Sequence, residues 1–498
     1  MSTLLLISVF VVATCGLVYE LIAGALASYL LGDSVTQFST IIGVYLFSMG
    51  IGSFFSKFFK KNLIATFVQV EVMIGFIGGF SACVLFLSFD WVIHFRLLLY
   101  SIVSVIGMLV GFEVPILMRI LKDRYEFKDL VSNVFTFDYI GALFASLLFP
   151  LVLVPHVGIM RSSFLFGMLN VGVALLAIFR FRDDMPWPRH LKTQSFMVLA
   201  LLVFGFAYSD NLLSWAEVAS YQDKVIFSRS THYQKIVLTR SKQDMKLYLN
   251  GNLQFSSSDE YRYHETLVHP GASSARHLKR VLILGGGDGL AAREVLKYPS
   301  IEKIVLVDLD AEMTRLFQTN PELMRLNEDS LNHPKIQVVN DDAFLWLRGN
   351  QELFDLAIVD FPDPSNFSLG KLYSESFYRT LGRSLAMDGT FVVQSTSPYY
   401  AKKSFWIINE TIRASGFSTL PYHAYVPSFG EWGFIMGGRM TPTFPMKLPA
   451  GLRFLSTQLF SQMTEFPMDM QYKTREINRL NNQILVRTFE HEWAQFSQ

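Results

Sequence analysis

Residues 281–310 read VLILGGGDGLAAREVLKYPSIEKIVLVDLD. An apolar run ends in three glycines and an aspartate, a helical pattern follows, and a second apolar run closes on acid. The order strand, glycine turn, helix, strand brings bare backbone at Gly285 and Gly287 close to a ligand. It also sets a carboxylate, Asp308, about twenty residues on, where ribose hydroxyls would lie. The second half of the chain is therefore expected to bind a nucleoside.

Downstream the same rhythm continues. Further strands are expected at 304–308, 336–339, 355–360, 390–394 and 433–436, separated by helical or loop stretches, as in a doubly wound α/β sheet. Upstream, after Trp215, alternating residues in KVIFSRSTHYQKIVLTR (224–240) and KLYLNGNLQFSS (246–257) read as strands. Asn250-Gly251 is a hairpin signal. Residues 214–262 are thus expected to form a small β domain, 263–440 a Rossmann-like catalytic domain, and 441–498 a C-terminal extension giving helical cover.

The first 213 residues have another character. The chain is 51% hydrophobic with a mean hydropathy of +0.31, high for a soluble protein. Apolar segments recur at 4–31, 37–56, 67–89, 97–118, 133–154, 160–179 and 195–213, mostly near the roughly 20 residues that cross a bilayer. The expected fold is a polytopic α-helical membrane domain of seven spans, followed by the β domain and the Rossmann-like domain. The first segment lacks a basic leader and a small-residue cleavage site, so it is expected to remain.

Lys57, Lys60 and Lys61, then Arg119, Lys122, Arg124 and Lys128, then Arg180, Arg182, Arg189 and Lys192 fall in alternate loops, while the others hold only Arg96 and Arg161. Basic loops stay in the cytoplasm. If 195–213 also crosses, the catalytic half lies outside, away from a nucleoside made inside. Ser195 to Ser209 is short for a span, so an interfacial or re-entrant placement is open, and the chemistry favours a cytoplasmic catalytic half on a cell membrane. Glu20, Glu71, Glu113 and Asp138 lie at or near membrane depth, as a transport path or as helix-to-helix hydrogen bonds. Gly43, Gly50, Gly52, Gly75, Gly78 and Gly79 fit close helix packing.

A net charge of +1 and the lack of arginine-aromatic clusters argue against nucleic acid. Cys15 and Cys83 sit in apolar runs away from histidines and acids, so neither a disulfide framework nor a metal site is expected. The acids of the second half cluster instead. Asp288 lies inside the glycine loop, where it would repel the carboxylate of S-adenosylmethionine and favour a ligand without one. Asp341-Asp342 and Asp360-Phe-Pro-Asp363 follow the next strands. So many carboxylates without a metal or phosphate signature suit a polycationic amine.

These motifs have a family likeness. Tyr233-Gln234, LYLNGNLQ, DEYRYHETLVHP, GGGDG, VDLD, NDDAF, VDFPDPSN, LYSESFY and VPSFGEWGF, in that order over about 220–440, resemble the spermidine synthases, or polyamine aminopropyltransferases. The preceding spans resemble the family's membrane-bound bacterial branch. The resemblance implies aminopropyl transfer from decarboxylated S-adenosylmethionine, a co-substrate and not a prosthetic group, to putrescine, giving spermidine and 5'-methylthioadenosine. It implies that Gln234 contacts the nucleoside, Asp308 its ribose, and Asp342 with Ala343 the adenine. His264 and Asp288 would hold amine groups, Asp363 and Tyr263 would line the amine site, and Asp360 would take the proton. A homo-oligomer is also implied. Where soluble relatives often carry a tyrosine at the amine pocket, this chain has Phe429, which leaves the acceptor open.

The chemistry of the residues agrees with that role for Asp360. An ammonium cannot attack carbon until it loses a proton, so a carboxylate must accept it. A sulfonium already leaves well. The competing readings are a methyltransferase and a membrane polyamine transporter or sensor with a non-catalytic synthase-like domain.

Overall fold

The computed structural model describes residues 2–31, 34–89, 92, 94–122, 126–182, 185–221, 223–231, 233–442 and 447–496. Arg124, one of the loop charges above, lies outside them. The chain divides into two compact units, Met1–Gln222 and Asp223–Gln498.

The first unit is built from α1 (Ser2–Leu31), α2 (Ser34–Ser56), α3 (Leu63–Ser88), α4 (Phe95–Leu121), α5 (Phe127–Leu148, continued by a wider turn to Val157), α6 (Ile159–Arg180) and α7 (Pro188–Ser220). Each contains a stretch long and apolar enough to cross a membrane. The last corrects the sequence reading. Its helix begins at Pro188, so the apolar stretch Pro188–Ser209 has 22 residues rather than fifteen. Proline is suited to a helix's first turn, where its missing N–H costs nothing. Leu202 of α7 reaches the backbone of Gly79 on α3 and Gly167 on α6, so α7 packs within the bundle as the other helices do, and the argument for a short re-entrant segment falls.

Close packing explains some of the glycines. A Cβ on Gly52 would lie 1.9 Å from the Met108 carbonyl oxygen, and one on Gly75 would lie 2.8 Å from that of Gly167, so α2/α4 and α3/α6 touch backbone to backbone. Gly78 and Gly79 are likewise filled by neighbours. Gly43 and Gly50 are not: nothing lies within 4 Å of a Cβ there, and helix packing does not explain them.

The second unit opens with a four-stranded antiparallel sheet, β1 (Lys224–Ser230), β2 (Lys235–Ser241), β3 (Asp244–Leu249) and β4 (Asn252–Ser256), paired in chain order. The β3–β4 turn uses Asn250 at φ 51° and Gly251 at φ 81°, the left-handed pair that a tight hairpin requires. Helix α8 (Glu260–Ser274) then leads into the α/β core. Its strands are β5 (Arg280–Gly285), β6 (Lys303–Asp308), β7 (Ile336–Asn340), β8 (Phe354–Asp360), β9 (Leu385–Gln394), β10 (Ser418–Val426) and β11 (Gly430–Gly438), in the spatial order β10-β11-β9-β8-β5-β6-β7. The five strands β5 to β9 are parallel; β11 alone in this sheet runs the other way, antiparallel to both its neighbours, β9 and β10.

Both faces of the sheet are covered, which is why the strands read as continuous apolar runs. In β5, Val281 and Ile283 enter one core and Leu282 and Leu284 the other. Strand β10 was not expected from the sequence because Pro421 interrupts it. It lies at the sheet's edge, where a residue without an N–H is tolerated. The C-terminal segment covers the core, but among its described residues only Thr457–Met463 and Ile484–Trp493 are α-helical. One stretch of the rest is held by a side chain: the Glu265 carboxylate accepts from the amides of Arg453, Phe454 and Leu455.

Candidate active site

Parallel strands align their carboxyl ends, so residues that close successive strands converge on one edge. Here these are Gly285 of β5, Asp308 of β6, Asn340 of β7 followed by Asp341-Asp342, Asp360 of β8 and Gln394 of β9. Gly285 stands directly beside Asp360 in the β5–β8 register. Its φ of +82° suits glycine, and a Cβ there would lie 2.1 Å from the Asp360 carbonyl oxygen.

Asp308 is tied to the glycine loop. Its Oδ2 accepts from the Gly287 amide at 3.0 Å and its Oδ1 from the Asp310 amide at 2.9 Å. Burial pushes this carboxyl up to about 6 against those hydrogen bonds. Gln234 reaches the same place through Asp310, donating from Nε2 to Oδ2 at 3.0 Å beside the Thr231 hydroxyl. Asp310, buried and capping the helix Ala311–Thr319, went unnoticed in the sequence although it ends the quoted stretch. A Gly287→Ala variant is expected to press its Cβ, 2.6 Å from Asp308 Oδ2, into that carboxylate. The donor KM should rise about tenfold or more with kcat largely kept, as loss of uniform binding requires; an unchanged KM would separate Asp308 from donor binding.

Asp342 caps the helix Ala343–Gly349, accepting from Phe344 and Leu345 amides, while its Oδ2 receives Lys371 Nζ at 2.7 Å. Burial raises this carboxyl, but the lysine and the amides win and hold it below its usual range. Ala343 beside it is buried.

The remaining acids are Asp288, which is buried, and Asp360 and Asp363, which are half-buried. Tyr263, on α8, donates its hydroxyl to Asp360 Oδ1 at 2.6 Å. Asp360 is pushed up to about 6 by burial, opposed by the charge of His264 and raised again by Asp288. Asp288, also raised by burial, accepts from the Leu290 amide. His264 is less free than the sequence implied. Burial alone would lower it, but its Nδ1 faces Glu260 Oε2 at 2.9 Å, and that carboxylate lifts the ring to about 9. Glu260 thus favours the protonated ring, while Asp288 and Asp360 add their negative charge to the same effect. Glu260 in turn receives both terminal nitrogens of Arg293, at 3.0 and 2.9 Å. These two residues were missed, since their pairing spans 33 residues.

Asp363 is pushed up to about 7 by burial, partly offset by hydrogen bonds from Gln394 Nε2 at 3.4 Å and Thr396 Oγ1 at 3.3 Å. Gln394 also donates to the Phe361 carbonyl and to Tyr373 Oη, and its Oε1 accepts from Trp432 Nε1. Thr396 holds φ at +59°, strained for a β-branched residue. Phe429 packs between Tyr263 and Trp432, with ring centroids 6.0 and 5.1 Å away. The result is a cluster of acids with aromatic rings beside them, suited to a cation with an apolar stem.

Comparison with known proteins decides the family. The spermine/spermidine synthase domain model matches residues 260–443. A polyamine aminopropyltransferase of Leptospira interrogans is 51% identical over 493 residues, 99% of each chain. The chain belongs to the polyamine aminopropyltransferase family. A second such enzyme, polyamine aminopropyltransferase 2 of Ralstonia nicotianae, is 53% identical over 501 residues, covering 99% of this chain and 98% of its own. One from Mycobacterium tuberculosis is 38% identical over 508 residues, covering 98% and 96%. These alignments run through the helical half as well as the catalytic half. Two solved spermidine synthases, one in complex with the transition-state analogue AdoDATO and one from Thermotoga maritima, each align with 49% of the chain, covering 86% and 85% of their own. Their identities are 25% and 24% and their TM-scores 0.46 and 0.45. The protein is an aminopropyltransferase, and the methyltransferase reading falls away.

Proposed function

We propose that the catalytic half transfers the aminopropyl group of decarboxylated S-adenosylmethionine to putrescine, releasing spermidine and 5'-methylthioadenosine. The observation that carries this reading is the pairing of Gly285 with Asp360 on adjacent strands, which sets a nucleoside-approaching turn beside a half-buried carboxylate. In this reading Gln234, Gly285, Gly287, Asp308, Asp342 and Ala343 hold the nucleoside. Tyr263, His264, Asp288 and Asp363 line the amine positions. With Glu260 favouring the protonated ring, the part we assign to His264 is to offset Asp288 and Asp360 rather than to bind an ammonium directly.

Asp360 acts as the base. The acceptor nitrogen forms a bond to the donor's S-bound aminopropyl carbon, the C–S pair returns to sulfur, and the proton passes to the carboxylate. Orientation supplies much of the remaining acceleration, and no covalent enzyme intermediate is needed. The test is product analysis by mass spectrometry on purified full-length protein with the decarboxylated donor and a panel of putrescine, cadaverine, diaminopropane and spermidine. Methylthioadenosine with spermidine as the main product supports the proposal; turnover of another amine alone would move the acceptor, and no turnover would overturn it.

We further place the helical half in the cell membrane and the catalytic half in the cytoplasm, where such a donor is made. The basic loops and a seventh helix of crossing length pull the other way. A fluorescent protein fused after the C-terminus is expected to glow, and a phosphatase fused there to stay inactive. The reverse pattern would put catalysis outside.

A further inference from the structure

The glycine loop at the head of the nucleoside site is gripped from outside by a segment to which the reaction gives no part. Residues Asn327 to Leu331 follow the helix Pro321–Leu326 and precede β7. Asn327 Nδ2 donates to the Asp288 carbonyl at 2.9 Å and to the Phe317 carbonyl at 3.3 Å. Ser330 Oγ donates to the Gly289 carbonyl at 2.7 Å. Both residues are shut off from solvent, at 0% and 1% exposure. The fit is tight: a Cβ on Gly289 would lie 2.7 Å from Ser330 Oγ and 2.7 Å from Leu331 Cγ.

Two features separate this contact from ordinary packing. The first is the asparagine itself. Its Nδ2 faces two carbonyl oxygens, which fixes that end of the amide as the donor, while its Oδ1 is buried without a donor of its own. A buried acceptor left unmet costs stability, so an apolar side chain would serve better if filling space were the only need. The second is the backbone. Glu328 and Asp329 follow in succession at φ 54° and 56°, the left-handed region that residues with a Cβ avoid, and such strain persists only where surrounding contacts impose it. These two residues turn the chain so that Asn327 and Ser330 reach successive carbonyls of the same loop.

What the contact fixes is the peptide between Asp288 and Gly289. Its carbonyl is held by Asn327, and its N–H donates to the Gly286 carbonyl at 2.9 Å. The Asp288 side chain is then set by its own chain, Oδ1 accepting from the Leu290 amide at 2.9 Å. Arg293 ties the same segment to the histidine side of the site, since its Nη1 donates both to the Leu326 carbonyl at 2.8 Å and to Glu260 Oε1 at 3.0 Å. Given the reaction proposed above, in which Asp288 lines an amine position, we propose that Asn327 and Ser330 are positioning residues for donor binding: they hold the Asp288 carboxylate where the aminopropyl ammonium of the donor lies.

Equilibrium binding of two ligands to purified full-length protein, with no acceptor amine present, tests this. Decarboxylated S-adenosylmethionine carries the aminopropyl chain; methylthioadenosine has the same nucleoside without it. In Asn327→Ala and Ser330→Ala the donor Kd is expected to rise about tenfold or more, as when a contact group is moved out of place, while the methylthioadenosine Kd stays near its native value. Ser330→Ala removes only a hydroxyl, so it decides the matter if Asn327→Ala does not fold. In an Asp288→Asn background no charge is left to aim, and either substitution should then change the donor Kd by less than about twofold, the mark of residues that act through one contact. Equal weakening of both ligands, a native donor Kd in the folded variants, or a full effect on top of Asp288→Asn would overturn the positioning role and leave the reaction standing. A donor Kd indifferent to Asp288→Asn itself would overturn the part given to Asp288, and the positioning role with it.

Discussion

An Asp360→Asn variant is expected to lose roughly 10²–10⁴-fold in kcat, the range that a positioned general base contributes, with the KM of both substrates little changed. Asparagine keeps the acceptor that Tyr263 Oη uses at 2.6 Å, so the cleft should stay in place while its ability to take a proton disappears. The measurement is steady-state release of methylthioadenosine across a pH series. The sign follows from the base's role: only the ionised carboxylate accepts a proton, so activity rises with pH. Burial pushes Asp360 up to about 6 and Asp363 up to about 7. The native kcat/KM, which reports the free enzyme, should therefore fall as pH drops through 7 and 6, more steeply than one group allows. In the variant only the step from Asp363 should remain. A loss under tenfold, or an unaltered acid limb, would remove Asp360 from the chemistry.

The acids that carry this prediction were legible because strand-ending carboxylates stand close to the motifs that announce them. Asp308 follows the glycine turn at the spacing of a ribose partner, and Asp360 and Asp363 flank a Phe-Pro turn. Asn250-Gly251 declared its hairpin for a similar local reason, a backbone conformation that few residues adopt. What stayed hidden depends on distant partners. Gln394 ends a strand as Asp360 does, but a glutamine in an apolar run carries no signal until Asp363, Tyr373 and Trp432 are seen around it. Thr396 is marked only by its φ. The length of α7 was misjudged because polar residues at 189–195 hid a helix that starts at Pro188. Strand β10 was missed because proline is read as a breaker without knowing which strand is the edge.

The buried pair of Glu260 and Arg293 gives the largest expected effect on stability. Both are nearly solvent-free, at 2% and 8% exposure, and the contact is bidentate, the geometry in which a guanidinium and a carboxylate match best. Arg293 also donates to the Leu326 carbonyl and to Glu294, which in turn meets His269 and Lys297. A Glu260→Ala variant leaves His264 without its carboxylate partner and Arg293 with Glu294 alone. Breaking such a pair costs about 3–5 kcal/mol, mostly the penalty of leaving charge unpaired in a poorly polarisable interior. Thermal unfolding of the full-length protein should show the loss, and Glu260→Gln, which keeps the shape and one acceptor, should lose less. The site would respond too. Without Glu260 to lift it, His264 should lose its proton at lower pH, and its charge would no longer hold Asp360 down. The acid limb of kcat/KM in Glu260→Gln should then move to higher pH. If stability falls but the limb stays where it was, the pair supports the fold alone; if both move, Arg293 and Glu260 set the charge of the histidine that faces the base.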